Sequence, residues 1–140
     1  MPVDQAIVRR LLAIVRRNHA ILEKYRQLPA ADFASDEGRI LAVEHGLQIM
    51  IQALIDISLH ICAAMQAGKI EVYRDAPRGL LRLGLLTPEQ AKTLEQMTGL
   101  RNLLVHGYAN IAEERILEFL RNHLDDFTPL ADTLESTLRN

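Results

Sequence analysis

The side chains best suited to chemistry lie together in one short segment that holds an arginine, a histidine and a tyrosine. His106 follows Arg101 by five residues, and Tyr108 follows His106 by two. Placed on an α-helix at ~100° per residue, Arg101 falls in the middle of an apolar stripe. Arginine is almost never buried without a partner, so this side chain needs one. The segment is therefore a candidate functional site on physical grounds.

The spacing of Arg101 and His106 places a condition on that site. Five residues correspond to ~140° of rotation, so the two side chains do not converge on one ideal helix. Either the helix distorts near its end, where Gly107 would permit it, or the two groups meet across a dimer interface. We favour a site at the interface.

The elements that must position this segment are all predicted to be helices. Apolar residues recur at helical spacing, and no stretch alternates as a strand would. The pattern predicts five helices, over residues 4–28, 37–67, 77–83 and 88–106 and from the cap at Asn110 toward the C-terminus. We expect a short loop over 29–36 and a kink at Pro129. The sequence therefore predicts an all-α, up-and-down helical bundle in a single domain over residues 1–140.

The clearest start signal precedes the helix that carries Arg101. Thr87 can cap this helix, Pro88 takes its first position, and Gln90 can close a capping box. Apolar stripes predict which faces form the core. The stripes are Ile7, Leu11, Ile14, Ile21, Tyr25 and Leu28 in the first helix, Ile40, Val43, Leu47, Met50, Leu54, Ile57 and Ile61 in the second, and Ile116, Leu120, Leu124, Phe127, Ala131, Leu134 and Leu138 in the last.

The second predicted helix is apolar on most of its sides, which indicates burial nearly all round. In so small a bundle, one helix is hard to cover fully without a second chain. We therefore expect a homodimer whose interface includes this helix and the C-terminal part of the 88–106 helix. A membrane span of ~20 residues rarely tolerates many polar groups, so we expect no membrane span. The groups that interrupt this apolar run are Glu44, His45, Gln48, Gln52, Asp56 and His60.

Polar side chains recur at steps of four along that helix, and its last two, Asp56 and His60, can touch as an i, i+4 pair. One interpretation is a buried polar seam or wet groove between protomers. The other is that this line of Glu44, Gln48, Gln52, Asp56 and His60 helps to wall the active-site cleft, with Asp56 and His60 as possible supporting residues. The chain has no H-E-x-x-H motif and no cysteine pair, so we expect no metal ion and no other cofactor.

Charge and cysteine content restrict the function further. The formal net charge is −2, so any contact with nucleic acid must be local. Basic residues dominate the first 26 positions and acidic residues the last 29. This indicates either solvated helix faces that pack side by side or contacts of Arg9, Arg10, Arg16 and Arg17 with RNA phosphates or an acidic partner. The single cysteine, Cys62, is expected to be a buried structural thiol. Together with charges too early for a signal peptide, this favours a cytoplasmic protein.

The octapeptide Arg101-Asn102-Leu103-Leu104-Val105-His106-Gly107-Tyr108 resembles the R-x-x-x-x-H-x-Y signature of the HepT-like branch of the HEPN superfamily. Other segments are similar as well, namely 56–60, 73–75, 84–86 and 97–100. The resemblance implies a homodimeric HEPN helical bundle that acts as a toxin by cleaving RNA. It also implies a partner, a neighbouring MntA-type minimal nucleotidyltransferase antitoxin that transfers AMP to the motif tyrosine, here Tyr108.

The residue types fit the implied activity. RNA cleavage without a metal requires the 2′-hydroxyl to attack its own phosphorus, and imidazole exchanges protons near neutral pH, which suits His106. The fork of Arg101 can hold two phosphate oxygens and stabilise their growing charge. Asn102 either orients His106, contacts phosphate or is an ordinary surface amide. The alternative function is a non-catalytic HEPN dimer that binds a nucleotidyltransferase or a nucleotide.

Overall fold

The computed structural model describes residues 3–72, 74–106 and 113–139, with side chains up to residue 138, and all regular structure in these ranges is helical. The fold is therefore all-α, as predicted. In chain order the helices are α1 (Gln5–Arg26), α2 (Ala30–Ala34), α3 (Glu37–Ala64), α4 (Asp75–Arg82), α5 (Pro88–His106), α6 (Glu113–His123) and α7 (Phe127–Ser136), with 3-10 turns at Leu124–Asp126 and Thr137–Arg139.

Side chains cap the starts of the three long helices. The Asp4 carboxylate accepts a hydrogen bond from the Ile7 amide at 3.3 Å at the start of α1. The Asp36 carboxylate accepts one from the Gly38 amide at 2.8 Å at the start of α3. At α5 the predicted capping box is confirmed, because the Thr87 hydroxyl and the Gln90 side chain each accept the other residue's amide at 3.1 Å. These caps fix where α5, and with it Arg101, begins.

Helix α3 is the centre of the bundle and packs against α1, α4, α5, α6 and α7. Every residue of its predicted stripe is buried. By length and composition α3 could cross a membrane, since its most apolar window has a mean hydropathy of 1.6, but 56% of that window is buried inside the protein. Core helices of soluble proteins pass the same test, so this composition is weak evidence for a membrane span.

Helix α1 packs closely along α3, but through a different stripe from the one predicted. The buried residues are Val8, Leu12, Val15 and Leu22, whereas Ile7 and Ile21 are each 41% exposed. A glycine allows the close approach, since a Cβ built on Gly46 would lie 3.0 Å from a Leu22 methyl carbon. The fully buried line is therefore offset by one position from the predicted stripe, of which Leu11, Ile14 and Tyr25 are partly buried against the core.

The C-terminal region is broken before the expected kink. The α-helix stops at His123, a 3-10 turn follows, and α7 begins at Phe127. Pro129 thus falls in the first turn of α7, where its missing N–H removes no helical hydrogen bond. The predicted stripe from Ile116 to Leu138 is confirmed as buried throughout. The short helix α2 forms within the expected loop and buries Phe33.

Complementary charges join α1 to the C-terminal helices. Arg16 pairs with Asp132 at 2.9 Å and Arg26 pairs with Asp125 at 2.6 Å. The Arg26 guanidinium holds the pKa of the Asp125 carboxyl below its usual range. For these two arginines, the uneven charge of the sequence reflects helix faces packed side by side.

Helix α4 lies against the C-terminal end of α3. A Cβ built on Gly79 would lie 2.8 Å from the Cys62 sulfur, so only glycine fits this contact without a shift. Cys62 is buried, as predicted, and burial raises the pKa of its thiol. This packing places the segment just before α4 near Asn102 on α5.

Candidate active site

Arg101 lies on α5 facing α3 and is half-buried. Its Nε–H donates to Oε1 of Gln52 on α3 at 2.8 Å, and an Nη1–H donates to Oδ1 of the neighbouring Asn102 at 3.2 Å. The stripe around it contains the buried residues Leu94 and Met97. The arginine therefore has the polar partners that its place in an apolar stripe requires.

Gln52 is itself held by a second residue of α3. Its Nε2–H donates to Oδ1 of Asp56 at 2.8 Å, one helical turn further along. Asp56, a predicted supporting residue, thus lies in a continuous chain of hydrogen bonds that runs through Gln52 to Arg101. The side-chain oxygen of Gln52 could not be linked to Arg101 from the sequence, because the two residues are 49 positions apart.

Asn102 is half-buried and lines a cleft of about 550 Å³ together with Glu71, Val72 and Arg74. The segment that contains Glu71 and Val72 is held by Asp75, whose carboxylate accepts the amides of these two residues at 3.2 and 3.3 Å. Arg74 is exposed in the same segment. A second arginine therefore lines the cleft that is also lined by Asn102, the residue that contacts Arg101.

His106 is the last residue of α5 and is exposed. The helix is α-helical through His106, so Arg101 and His106 stay ~140° apart about its axis. Any distortion of the helix would begin after His106 and would leave this offset unchanged. Gly107 and Tyr108, on which the predicted distortion and the predicted modification fall, lie outside the described residues.

His60 contacts a different part of the molecule from Asp56. Its Nε2 accepts a hydrogen bond from the backbone N–H of Asp4 at 2.8 Å. Because Asp4 is the residue that caps α1, His60 helps to fix the start of that helix against α3. The Nε2 atom of His60 therefore bonds the start of α1 to α3. This bond is different from the predicted contact between Asp56 and His60.

The middle of the polar line on α3 faces a groove between α1 and α3. The groove has a volume of about 230 Å³. It is lined by Leu11, Ile14, Gln48, Ile49, Gln52, Ala53 and Asp56. Two amides and one carboxylate thus lie in a row along a groove whose other lining residues are apolar.

One cluster in the described part of the chain has the side chains of a metal site. His19, Glu23 and Asp125 each offer a ligand atom, and these atoms lie within 4.8 Å of one another. However, Arg26 already pairs with Asp125 at 2.6 Å and with Glu23 at 3.3 Å. The guanidinium thus fills the place of a cation, and none of these residues belongs to the elements that carry Arg101 or its partners.

Two features of this site were not predicted from the sequence, namely the bond between Gln52 and Arg101 and the place of Arg74 beside the cleft. Gln52 belonged to the polar line, and its i, i+4 spacing to Asp56 was the available signal of an oriented amide. Arg74 carried no comparable signal, because it lies in a connecting segment whose position depends on the packing of α4.

Comparison with known proteins shows the family to which the chain belongs. The model of the family described as "Ribonuclease HepT-like" matches residues 15–134. The tRNA nuclease HepT of Aphanizomenon flos-aquae (strain 2012/KM1/D3) is 32% identical over 114 residues, which are 81% of this chain and 78% of that protein. The mRNA nuclease HepT of Shewanella oneidensis is 28% identical over 131 residues, which are 94% of this chain and 92% of that protein.

The fold is likewise similar to a solved toxin structure. A tri-AMPylated HEPN toxin of Shewanella oneidensis, in complex with its MNT antitoxin, superposes with a TM-score of 0.85 at 27% identity. The match covers 93% of this chain and 97% of the toxin. With the family model spanning most of the sequence and the fold agreeing over nearly its full length, this chain belongs to the HepT-like ribonuclease family.

Proposed function

We propose that this chain is the toxin of a toxin–antitoxin pair and an endoribonuclease that cuts RNA in the cytoplasm without a metal ion. The observation that carries the proposal is the half-buried Arg101, held by Gln52 and Asn102 beside a cleft. A guanidinium carries five N–H donors in a planar fork that matches the geometry of phosphate oxygens. The family to which the chain belongs supplies the reaction class.

The proposed reaction is an internal transesterification of the RNA backbone. His106 accepts the proton of the 2′-hydroxyl, whose oxygen forms a bond to the adjacent phosphorus. The bond from phosphorus to the 5′-oxygen breaks, and that oxygen takes a proton from a second imidazole or from water. The products are a 2′,3′-cyclic phosphate and a 5′-hydroxyl. Arg101 stabilises the negative charge on the non-bridging oxygens as the new bond forms.

The site is proposed to be assembled from two copies of the chain. Arg101 faces α3 whereas His106 is exposed at the end of the same helix, so a second copy is the simplest source of a histidine facing Arg101. The exposed Ile7 and Ile21 of α1 and the groove beside Gln52 offer a surface for that copy. Leu103 and Val105 are also exposed, near the end of α5.

The proposed partner is a minimal nucleotidyltransferase of the MNT type, as in the solved complex of the Shewanella oneidensis toxin. It would silence this chain by transferring AMP from ATP to the Tyr108 hydroxyl. A bond forms between the tyrosine oxygen and the α-phosphorus, and pyrophosphate leaves. Attached AMP would bring a negative phosphate and a nucleoside to the end of α5, in competition with RNA.

Growth and cleavage assays test this function directly. Expression of the wild-type chain alone should stop the growth of a bacterial host, whereas Arg101→Ala and His106→Ala should not. The purified wild-type chain should cut total tRNA or mRNA in the presence of EDTA, and loss of either side chain should cost at least ~10²-fold in rate. A wild-type chain that cuts no RNA, or cuts only after a divalent ion is restored, would contradict the proposal.

A further inference from the structure

We infer that Gln52 is a positioning residue for the proposed ribonuclease reaction, held in its working orientation by Asp56, and that it sets the plane of the Arg101 guanidinium. The inference rests on the proposed function and adds residues of α3 to a site otherwise built from α5. Its basis is two consecutive hydrogen bonds, one from Arg101 to Gln52 and one from Gln52 to Asp56, each 2.8 Å long.

The order of donors and acceptors allows only one orientation of the Gln52 amide. Its oxygen faces the Nε–H of Arg101, which can only donate, and its NH₂ group faces the Asp56 carboxylate, which as an anion can only accept. Rotation of the amide by half a turn would oppose two donors at Arg101 and two acceptors at Asp56. Asp56 therefore fixes which atom of Gln52 is presented to Arg101.

The bond is made at the edge of the guanidinium that decides its orientation. Nε is attached to the flexible stem of the side chain, so a bond to it, together with the Nη1 bond to Asn102, defines the plane of the group. A planar fork binds phosphate well only when two of its N–H groups lie along the oxygens. Misplacement of a catalytic group by about an ångström lowers the reaction rate by up to ~10²-fold.

Burial strengthens both bonds. Gln52 and Asp56 are half-buried on α3, and their hydrogen bonds are partly shielded from water. A hydrogen bond to a charged group in such surroundings contributes more than one on the surface. The amide thus places the Asp56 carboxylate one residue away from the arginine, and the carboxylate orients the arginine through Gln52.

The first test removes the acceptor while the shape of the side chain is kept. Gln52→Met should lower the single-turnover rate of cleavage of total tRNA by about 10- to 100-fold, with little change in RNA binding. Gln27→Met is the control for the same substitution, because Gln27 is exposed after the end of α1, lies outside this groove and has no side-chain hydrogen bond among the described residues. Its rate should equal that of the wild type.

The second test asks whether Gln52 acts through Arg101. In an Arg101→Lys background, which lacks Nε, the further change Gln52→Met should have no added effect on rate, whereas independent contributions would add. Equal losses from Gln52→Met in both backgrounds, after correction for the folded fraction, would overturn the inference and leave a merely structural role.

The third test exchanges the two side-chain types. Gln52→Glu alone places two carboxylates face to face and should be slow. Combining Gln52→Glu with Asp56→Asn keeps the charge of the group and restores an unbroken order of donors and acceptors, so activity should recover. Asp56→Asn alone should be mild, since its carbonyl can still accept from Gln52, whereas Asp56→Leu should match Gln52→Met.

The outcomes separate this inference from the proposed function. If the wild type cuts RNA, Arg101→Ala does not and Gln52→Met is as fast as the wild type, the inference alone is wrong. The same holds if the exchanged pair is no faster than Gln52→Glu alone. If the wild type cuts no RNA under any condition, the proposed function falls and the inference falls with it.

Discussion

Arg101 and His106 lie five residues apart on one α-helix, α5, with Arg101 turned toward Gln52 on α3 and His106 exposed at the helix end. Since the helix is regular through His106, the offset of ~140° between the two side chains is a property of the fold. We therefore expect a site that uses both groups on one phosphate to draw them from different chains. This geometry makes a prediction that activity measurements on single variants cannot test.

Mixing two inactive variants should restore activity. In a dimer of Arg101→Ala with His106→Ala, one of the two shared sites lacks both groups and the other keeps both. If half of the dimers are mixed, about a quarter of the wild-type activity should return. The measurement is RNA cleavage after the two variants have been unfolded and refolded together. Each variant refolded alone is the control, and no recovery in the mixture would show that each site is built within one chain.

The chain should be a homodimer through α3 and the C-terminal part of α5. The groove that contains Ile49 has apolar walls, and Leu103 at the end of α5 is 45% exposed. Sedimentation at micromolar concentration should show a dimer, and Ile49→Lys should weaken it by about 30-fold or more. Leu81→Lys introduces the same charge on α4 and should leave the dimer intact. A stable wild-type monomer would contradict the prediction.

The bundle could be predicted well from the sequence where one pattern dominated. The capping box of Thr87 and Gln90 predicted the first residue of α5 correctly. The buried stripe of α3 was recognisable because this helix is apolar on most of its sides. In α1, however, two apolar lines run one residue apart. Only the contact of Leu22 with Gly46 decides between them, and periodicity contains no information about that contact.

The candidate site, too, could be predicted from the sequence only in part. Arg101 stands out in the sequence because a charge in an apolar stripe requires a partner. The identity of the partner depends on how α5 lies against α3, which local sequence does not specify. The same limit applies to His60, whose i, i+4 spacing to Asp56 suggested a pair although its Nε2 accepts from the amide of Asp4 in the folded chain.

Arg74 should bind RNA near the proposed cut. It faces the cleft that Asn102 lines, and among the described residues it has no ion pair. In the inactive His106→Ala background, Arg74→Ala should weaken binding of a single-stranded RNA several-fold and reduce the slope of log affinity against log salt by ~0.7. Arg78→Ala is the control, because Arg78 is exposed nearby but pairs with Glu95 at 3.4 Å. Equal slopes for Arg74→Ala and its parent would contradict the prediction.

The pair of Arg26 and Asp125 should make stability depend on pH in the acid range. The guanidinium lowers the pKa of Asp125 in the folded state, so its contribution is fully present above the ordinary carboxyl pKa of 3.8 and is lost as the pH falls through the lowered value. Asp125→Asn should therefore lower the melting temperature at pH 7, and the difference from the wild type should shrink toward pH 3. Asp32→Asn, on an exposed carboxylate with no ion pair among the described residues, controls for the loss of one charge. A difference that stays constant with pH would show that the ion pair is not responsible.

Tyr108 should be the residue through which a partner nucleotidyltransferase silences the chain. It follows His106, the exposed last residue of α5, by two positions in the sequence, so a group attached to it would lie within reach of the proposed site. Each attached AMP adds a negative phosphate, which would either repel the RNA phosphate or pair with Arg101 and occupy it. After co-expression with the nucleotidyltransferase, intact-mass spectrometry should show the mass of one or more AMP units, and peptide mapping should place them on Tyr108. Tyr108→Phe should remain toxic in the presence of the partner, whereas Tyr25→Phe, which changes a half-buried tyrosine of α1, should be neutralised like the wild type. Neutralisation of Tyr108→Phe, or neutralisation of the wild type without an adduct on Tyr108, would mean that the partner acts by binding alone.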